Sequence, residues 1–231
     1  MPHSDYTKWK TRPGLFDTGN RFFRPELTDA GYPIIRNQEV EIPSRLISYT
    51  QWKKCQPGDV IHFFVDDYRF EPLWSSPARY LNRFIGKTAC SPDFSVYTDD
   101  PRPLQQWNVY RSRWLGAYLQ ENGCTVIPTV SWSDRESFEF CFEGIEPGSV
   151  VAISTVGCRN VKHLFSAGVD AMIDALSPRA ILCYGSFAKT YTGSKDVPNL
   201  INYAYEFGKF CGTADGSKPK HININSDNIA M

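Results

Sequence analysis

Five apolar runs begin near residues 60, 89, 125, 150 and 180, and each is followed by a stretch with helical spacing. This alternation constrains the fold more than any other feature of the chain. A helix between consecutive strands returns the chain to the same end of the sheet, so the strands are parallel and the crossovers right-handed. Residues 59–65 (DVIHFFV) are continuously apolar, as in a strand covered on both faces. Residues 125–130, 150–154 and 180–184 read the same way, with a shorter strand over 89–94 and an earlier one at Leu46-Ile47-Ser48-Tyr49.

Between the strands, Leu104, Trp107, Arg111, Trp114, Leu115 and Tyr118 follow i, i+3, i+4 spacing, which predicts a helix from 103 to about 122, stopped by Asn122-Gly123. A helical segment after Asp66-Asp67 ends at Gly86, Ser133 or Asp134 can cap a short helix over 136–142, and another helix covers 160–176. With a late element there are six or seven βα units, fewer than the eight of a closed barrel. The expectation is an α/β fold of parallel βα repeats forming an incomplete TIM-barrel-like sheet, with an open doubly wound sheet as the alternative. Residues 1–42 read as a wrapping segment anchored by Phe16, Phe22, Phe23, Tyr32, Ile34 and Ile35. Residues 43–211 read as a single α/β domain, and 212–231 as a polar tail.

Three stretches carry a resemblance to a known family. They are Ser91-Pro92-Asp93-Phe94-Ser95, Gln106-Trp107-Asn108-Val109-Tyr110-Arg111-Ser112-Arg113, and Val126-Ile127-Pro128-Thr129-Val130-Ser131-Trp132. His62-Phe63-Phe64-Val65-Asp66-Asp67, Ser154-Thr155-Val156-Gly157 and Tyr184-Gly185 fit the same pattern. The chain resembles, roughly over residues 43–186, a domain-of-unknown-function family of Gram-positive bacteria, their phages and mobile elements. The resemblance implies a phage or mobile-element setting and no reaction.

Lys+Arg and Asp+Glu balance at 25 each, which argues against a globally basic nucleic-acid binder and leaves room for a local basic groove. The N-terminus lacks the apolar core of a signal peptide and no apolar run is long enough to span a bilayer, so the expected location is cytoplasmic, with no membrane partner. The seven cysteines are odd in number and form no C-x-x-C pair, against a disulfide framework or zinc ribbon. Cys158, at a helix start, is the best placed of them for a nucleophile.

In either parallel architecture the residues just past each strand meet on one face. Asp66 and Asp93 are the catalytic candidates, because carboxylates so placed can hold Mg²⁺ or Mn²⁺ or divide into general acid and general base. Asp67 fits the site or a loop cap, and Asp93, after Pro92, also fits a turn acceptor. Asp99-Asp100 suit the dipole of the long helix. Ser131, Trp132 and Tyr184 read as walls of a ligand site. Arg111, on the face of Trp107 and Trp114, is an anion receptor or a packing element, most simply paired with Asp93 or Asp66. Thr155, Gly157 and Arg159 join a strand to a helix and, with Gly185 and Ser186, suggest a phosphate cradle, although many βα turns look alike. The histidines form neither HxH nor HExxH, and no GxSxG elbow announces a serine nucleophile.

Three function classes follow. One is a hydrolase for a phosphorylated or nucleotide-like small molecule, the small anionic ligand of this reading. The second is a non-catalytic protein that captures such a ligand or a host protein. The third is a single-stranded nucleic-acid binder using Tyr110-Arg111 and Arg113-Trp114, which zero net charge disfavours.

Overall fold

The computed structural model describes residues 23–205 and the short strand Lys220–His221. Phe16, Phe22 and the remainder of the polar tail lie outside the described residues. Seven parallel strands follow in chain order: β1 (Arg45–Ser48), β2 (Asp59–His62), β3 (Thr88–Cys90), β4 (Thr125–Ile127), β5 (Val150–Ser154), β6 (Ala180–Tyr184) and β7 (Leu200–Tyr203). β8 (Lys220–His221) pairs antiparallel with β7.

β1 to β4 and β5 to β8 pair as two sheets. They meet where Thr129 bridges Ala152: the Val130 N–H donates to the Ala152 carbonyl at 2.9 Å, and the Ala152 N–H donates to that of Pro128 at 2.9 Å. The parallel order never reverses, so the doubly wound alternative does not apply. Nor is a barrel closed, because among the described residues β1 pairs only with β2. Across the gap the Tyr203 hydroxyl donates to the Pro43 carbonyl at 2.8 Å.

Side chains alternate along each strand, so one set faces inward and the other meets the helices. Leu46, Val60, Phe64, Cys90, Ile127 and Leu182 belong to one buried inner cluster. The His62 and Tyr184 ring centres lie 4.4 Å apart, so β2 and β6 meet across the curled sheet. Ile47, Ile61, Ala89 and Val126 pack outward against the helices over Glu71–Ser75, Pro77–Tyr80 and Arg102–Glu121. Val151, Ile153, Ile181 and Cys183 pack outward against the helix over Lys162–Leu176. The helices are α1 (Glu71–Ser75), α2 (Pro77–Tyr80), α3 (Arg102–Glu121), α4 (Phe138–Cys141), α5 (Lys162–Leu176) and α6 (Phe187–Thr190).

α3 differs from its expected amphipathic form. Its buried residues include Gln105, Asn108, Arg111, Ser112 and Arg113 as well as Trp114 and Leu115, so the helix is enclosed rather than laid on a surface. The preceding segment closes it: Phe23 meets Trp114 edge-on at 5.3 Å, and Ile35 is fully buried and bridges Ile145 in parallel. No helix among the described residues is long and apolar enough to cross a membrane.

Candidate functional site

A cavity of about 1000 Å³ opens at the C-terminal ends of β1 to β6. Its depth follows from where the strands stop. β2 leaves the sheet after His62: the Phe64 N–H donates to His62 Nδ1 at 3.1 Å, and the Val65 N–H turns back to the Phe63 carbonyl at 2.7 Å. The chain bends away there, and His62, Phe64 and Tyr184 form the floor.

Asp93 lies just past β3 and faces this space. Its carboxylate accepts a hydrogen bond from the Ser131 hydroxyl, at the end of β4. Burial pushes its pKa from 3.8 up to about 7; the Ser131 bond opposes the rise, the nearby Asp67 charge adds to it, and Arg113 opposes it. A carboxyl poised near neutrality can both take and give a proton at physiological pH. Ser131→Ala is therefore expected to move the Asp93 titration further up, because the bond to the ionised form is lost; a ¹³C-carboxyl NMR titration of the variant reads the shift.

Trp132 forms one wall. Its indole N–H donates to the Leu164 carbonyl at 3.2 Å, and its ring packs on Phe165. Gly168 makes room for it, because a Cβ there would stand 2.0 Å from the indole nitrogen.

His62 is the residue that motif reading passed over. It is fully buried and burial lowers its pKa to about 3, so the ring is neutral. The Phe64 N–H occupies the Nδ1 lone pair, which puts the ring proton on Nε2. That Nε2–H has no hydrogen-bond partner among the described residues. A buried donor left unmade costs about 1–3 kcal/mol, and His62 is one of the residues that line the cavity. Strand parity was the available signal: His62 shares the inward face of Val60 and Phe64.

The other expected residues divide. Ser131, Trp132, Gly157 and Tyr184 line the cavity with Asp93, and Asp66 lines its rim. The Asp66 side chain is 67% exposed and paired with Arg69 at 3.2 Å. Asp67 accepts from the Ser95 N–H at 3.0 Å and the Ser95 hydroxyl at 2.9 Å, holding the loop after β3.

Arg111 pairs with Glu71 rather than with Asp93 or Asp66, donating to both carboxylate oxygens at 2.9 Å, and lies over Phe94. The expected partner is corrected because α1 reaches over α3 and brings Glu71 to the guanidinium first. Thr155 Oγ1 accepts from the Ser186 N–H at 3.0 Å and bonds the Tyr205 hydroxyl at 2.7 Å. Gly185, at φ 125°, fits under that pair, where a Cβ would meet Thr155 Oγ1 at 2.0 Å. Thr155, Gly185 and Ser186 thus fasten the ends of β5 and β6 to the segment after β7. Arg159 is exposed in the turn that follows Gly157 and is not among the cavity's lining residues.

Burial raises the Cys158 pKa to about 11, so the thiol facing the cavity stays protonated. Asp99 and Asp100 precede α3, which starts at Arg102 after Pro101, and the Asp100 carbonyl accepts from Gln105. Among the described residues no three His, Cys, Asp or Glu side chains converge as a metal-binding group.

The profile of the family described as "Domain of unknown function (DUF4417)" matches residues 28–204, a span containing every residue of the cavity. The gene 1 protein of Mycobacterium phage L5 is 40% identical over 224 residues, covering 92% of this chain and 96% of the phage protein. The gene 1 protein of Mycobacterium phage D29 is 40% identical over 205 residues, covering 84% and 74%. No solved structure matches. The motif resemblance and these phage relatives agree, and the chain belongs to the DUF4417 domain family.

Proposed function

We propose that the chain is an enzyme that hydrolyses a small nucleotide-like molecule bound in the strand-end cavity, with Asp93 as the proton-transferring group. The observation that carries this reading is the Asp93 carboxyl, bonded by Ser131 and raised toward neutrality by burial, facing a cavity of ligand size. Trp132 and Tyr184 offer aromatic faces to a planar ring. The unpartnered His62 Nε2–H offers a donor to a carbonyl or ring-nitrogen acceptor. Lys54 supplies positive charge at the rim, where a phosphate would lie, beside Arg69, whose charge is shared with Asp66; this role passes to Lys54 from Thr155, Arg159, Gly185 and Ser186.

The His62 donor also favours a second reading, capture without chemistry, since a fixed neutral donor recognises an acceptor without transforming it. Nucleic-acid binding through Tyr110-Arg111 and Arg113-Trp114 loses its support, because Arg111, Arg113 and Trp114 are buried.

The test is a panel of nucleosides and nucleoside mono-, di- and triphosphates, followed by thermal shift for binding and by mass spectrometry for consumption. The enzyme reading expects one compound to be consumed by the wild type and at least about 100-fold more slowly by Asp93→Asn. A compound bound and recovered unaltered supports capture, and equal consumption by Asp93→Asn rejects the role of Asp93.

A further inference from the structure

In a chain whose charges balance, the stretches 42–58 and 72–92 are both basic and free of acidic residues. They contain Arg45, Lys53, Lys54, Arg79, Arg83 and Lys87. Arg45 is paired with Asp59. None of the other five forms an ion pair with a carboxylate among the described residues.

The fold brings the two stretches together through aromatic rings. The Arg83 guanidinium lies 4.4 Å from the Tyr80 ring centre and 5.1 Å from that of Trp52. It is fixed there by a 2.7 Å hydrogen bond to the Tyr49 hydroxyl. Lys87 Nζ lies 5.2 Å and Lys53 Nζ 5.9 Å from the Trp52 ring, and the Arg79 guanidinium lies 5.8 Å from the Tyr80 ring. Lys53, Lys54 and Arg79 are exposed, while Trp52, Tyr80, Arg83 and Lys87 are half-buried at the same surface. Like charges gathered without counter-charges repel one another, and a polyanion relieves that repulsion.

We propose that this surface binds single-stranded nucleic acid. The five cations would follow a phosphate backbone, and the Trp52 and Tyr80 rings with the Arg83 guanidinium plane offer stacking partners to unpaired bases. A duplex hides its base faces and would use only the charges. An anionic membrane surface is the poorer fit, because a membrane-seated face carries a broad apolar stripe, and here Ile85, 57% exposed, is the single large exposed aliphatic residue between 72 and 92. This surface uses none of the cavity's acid–base groups and stands apart from the hydrolase reading; only Lys54 borders both.

The test is fluorescence anisotropy of full-length protein with a labelled 30-nucleotide single strand, the matching duplex, and phosphatidylserine vesicles, from 50 to 300 mM salt. Single strands should bind more tightly than duplex, with a log–log salt slope near −3.5, about 0.7 for each of five phosphates neutralised. Lys53→Glu/Arg79→Glu/Lys87→Glu, which leaves the packed Arg83 in place, should weaken binding at 50 mM salt at least about 30-fold and flatten the slope by about 2. The control Arg135→Glu/Lys162→Glu/Lys189→Glu, at three exposed cations elsewhere, should leave both unchanged. Absent or salt-independent binding overturns the proposal. So do equal binding by the patch variant, tighter binding of duplex, and binding of vesicles without binding of the single strand. Circular dichroism of both variants verifies that they are folded.

Discussion

Replacing Arg113 with alanine should cost about 4 kcal/mol or more and leave the chain unfolded or nearly so at 37 °C. Arg113 is 2% exposed, and its guanidinium donates to three backbone carbonyls: Glu143 at 2.8 Å, Thr129 at 2.9 Å and Cys141 at 2.7 Å. These carbonyls belong to the segment after α4, the segment just past β4 and the last residue of α4. One side chain therefore ties α3 to the point where the two halves of the sheet join at Thr129 and Ala152. Burial lowers its pKa to about 10, so it still carries its charge at neutral pH. Alanine would leave the three carbonyls without this donor and open a cavity beside them. Lysine should rescue little of the loss, because a single ammonium does not reproduce the planar fork that reaches three acceptors. Urea unfolding of the wild type, Arg113→Ala and Arg113→Lys measures both effects, and a loss under about 1 kcal/mol for alanine would rule out this role.

Asp93→Asn should do the reverse and stabilise the protein at alkaline pH. The folded state holds the Asp93 proton up to about pH 7, whereas the unfolded chain releases it near 3.8. Between those values the native state binds more protons, so the contribution of this group to stability is full below about pH 4 and declines as pH rises through 7. Asparagine keeps an amide that can bond Ser131 and has no such decline. The full shift corresponds to about 4 kcal/mol at pH 8; discounted because Asp93 faces an open cavity, the expected gain is about 2–3 kcal/mol. At pH 4 variant and wild type should be nearly equal. Thermal unfolding at both pH values makes the comparison, and a variant less stable than wild type at pH 8 would contradict the assignment.

Much of this architecture is legible in the residues, for reasons that also explain the misses. β5 and β6 fall where expected, because Val150–Ser154 and Ala180–Tyr184 are unbroken apolar runs bounded by a glycine–serine turn and a serine–proline turn. β2 stops short of the expected Val65, since the Phe64 N–H turns to a side chain and nothing in an apolar run announces that. The long helix falls within a residue or so of its expected bounds, but its polar residues give no sign of burial, because their partners come from distant segments. The Glu71 that holds Arg111 lies 40 residues away. Asp93, Ser131, Trp132 and Tyr184 converge because parallel strands place their ends together. The turn at Thr155 and Gly185 resembles an anion cradle in sequence, whereas its hydroxyl is occupied by Ser186 and Tyr205, a contact no local pattern encodes.

The central claim is that Asp93 sits in a low-dielectric cavity with a proton to exchange near neutral pH. Its most direct test is a ¹³C NMR titration of aspartate side-chain carboxyls, with the Asp93 signal assigned by its absence in Asp93→Asn. The account predicts a titration midpoint of about 7 for that one signal. A midpoint near 4 would place Asp93 in water and contradict the site.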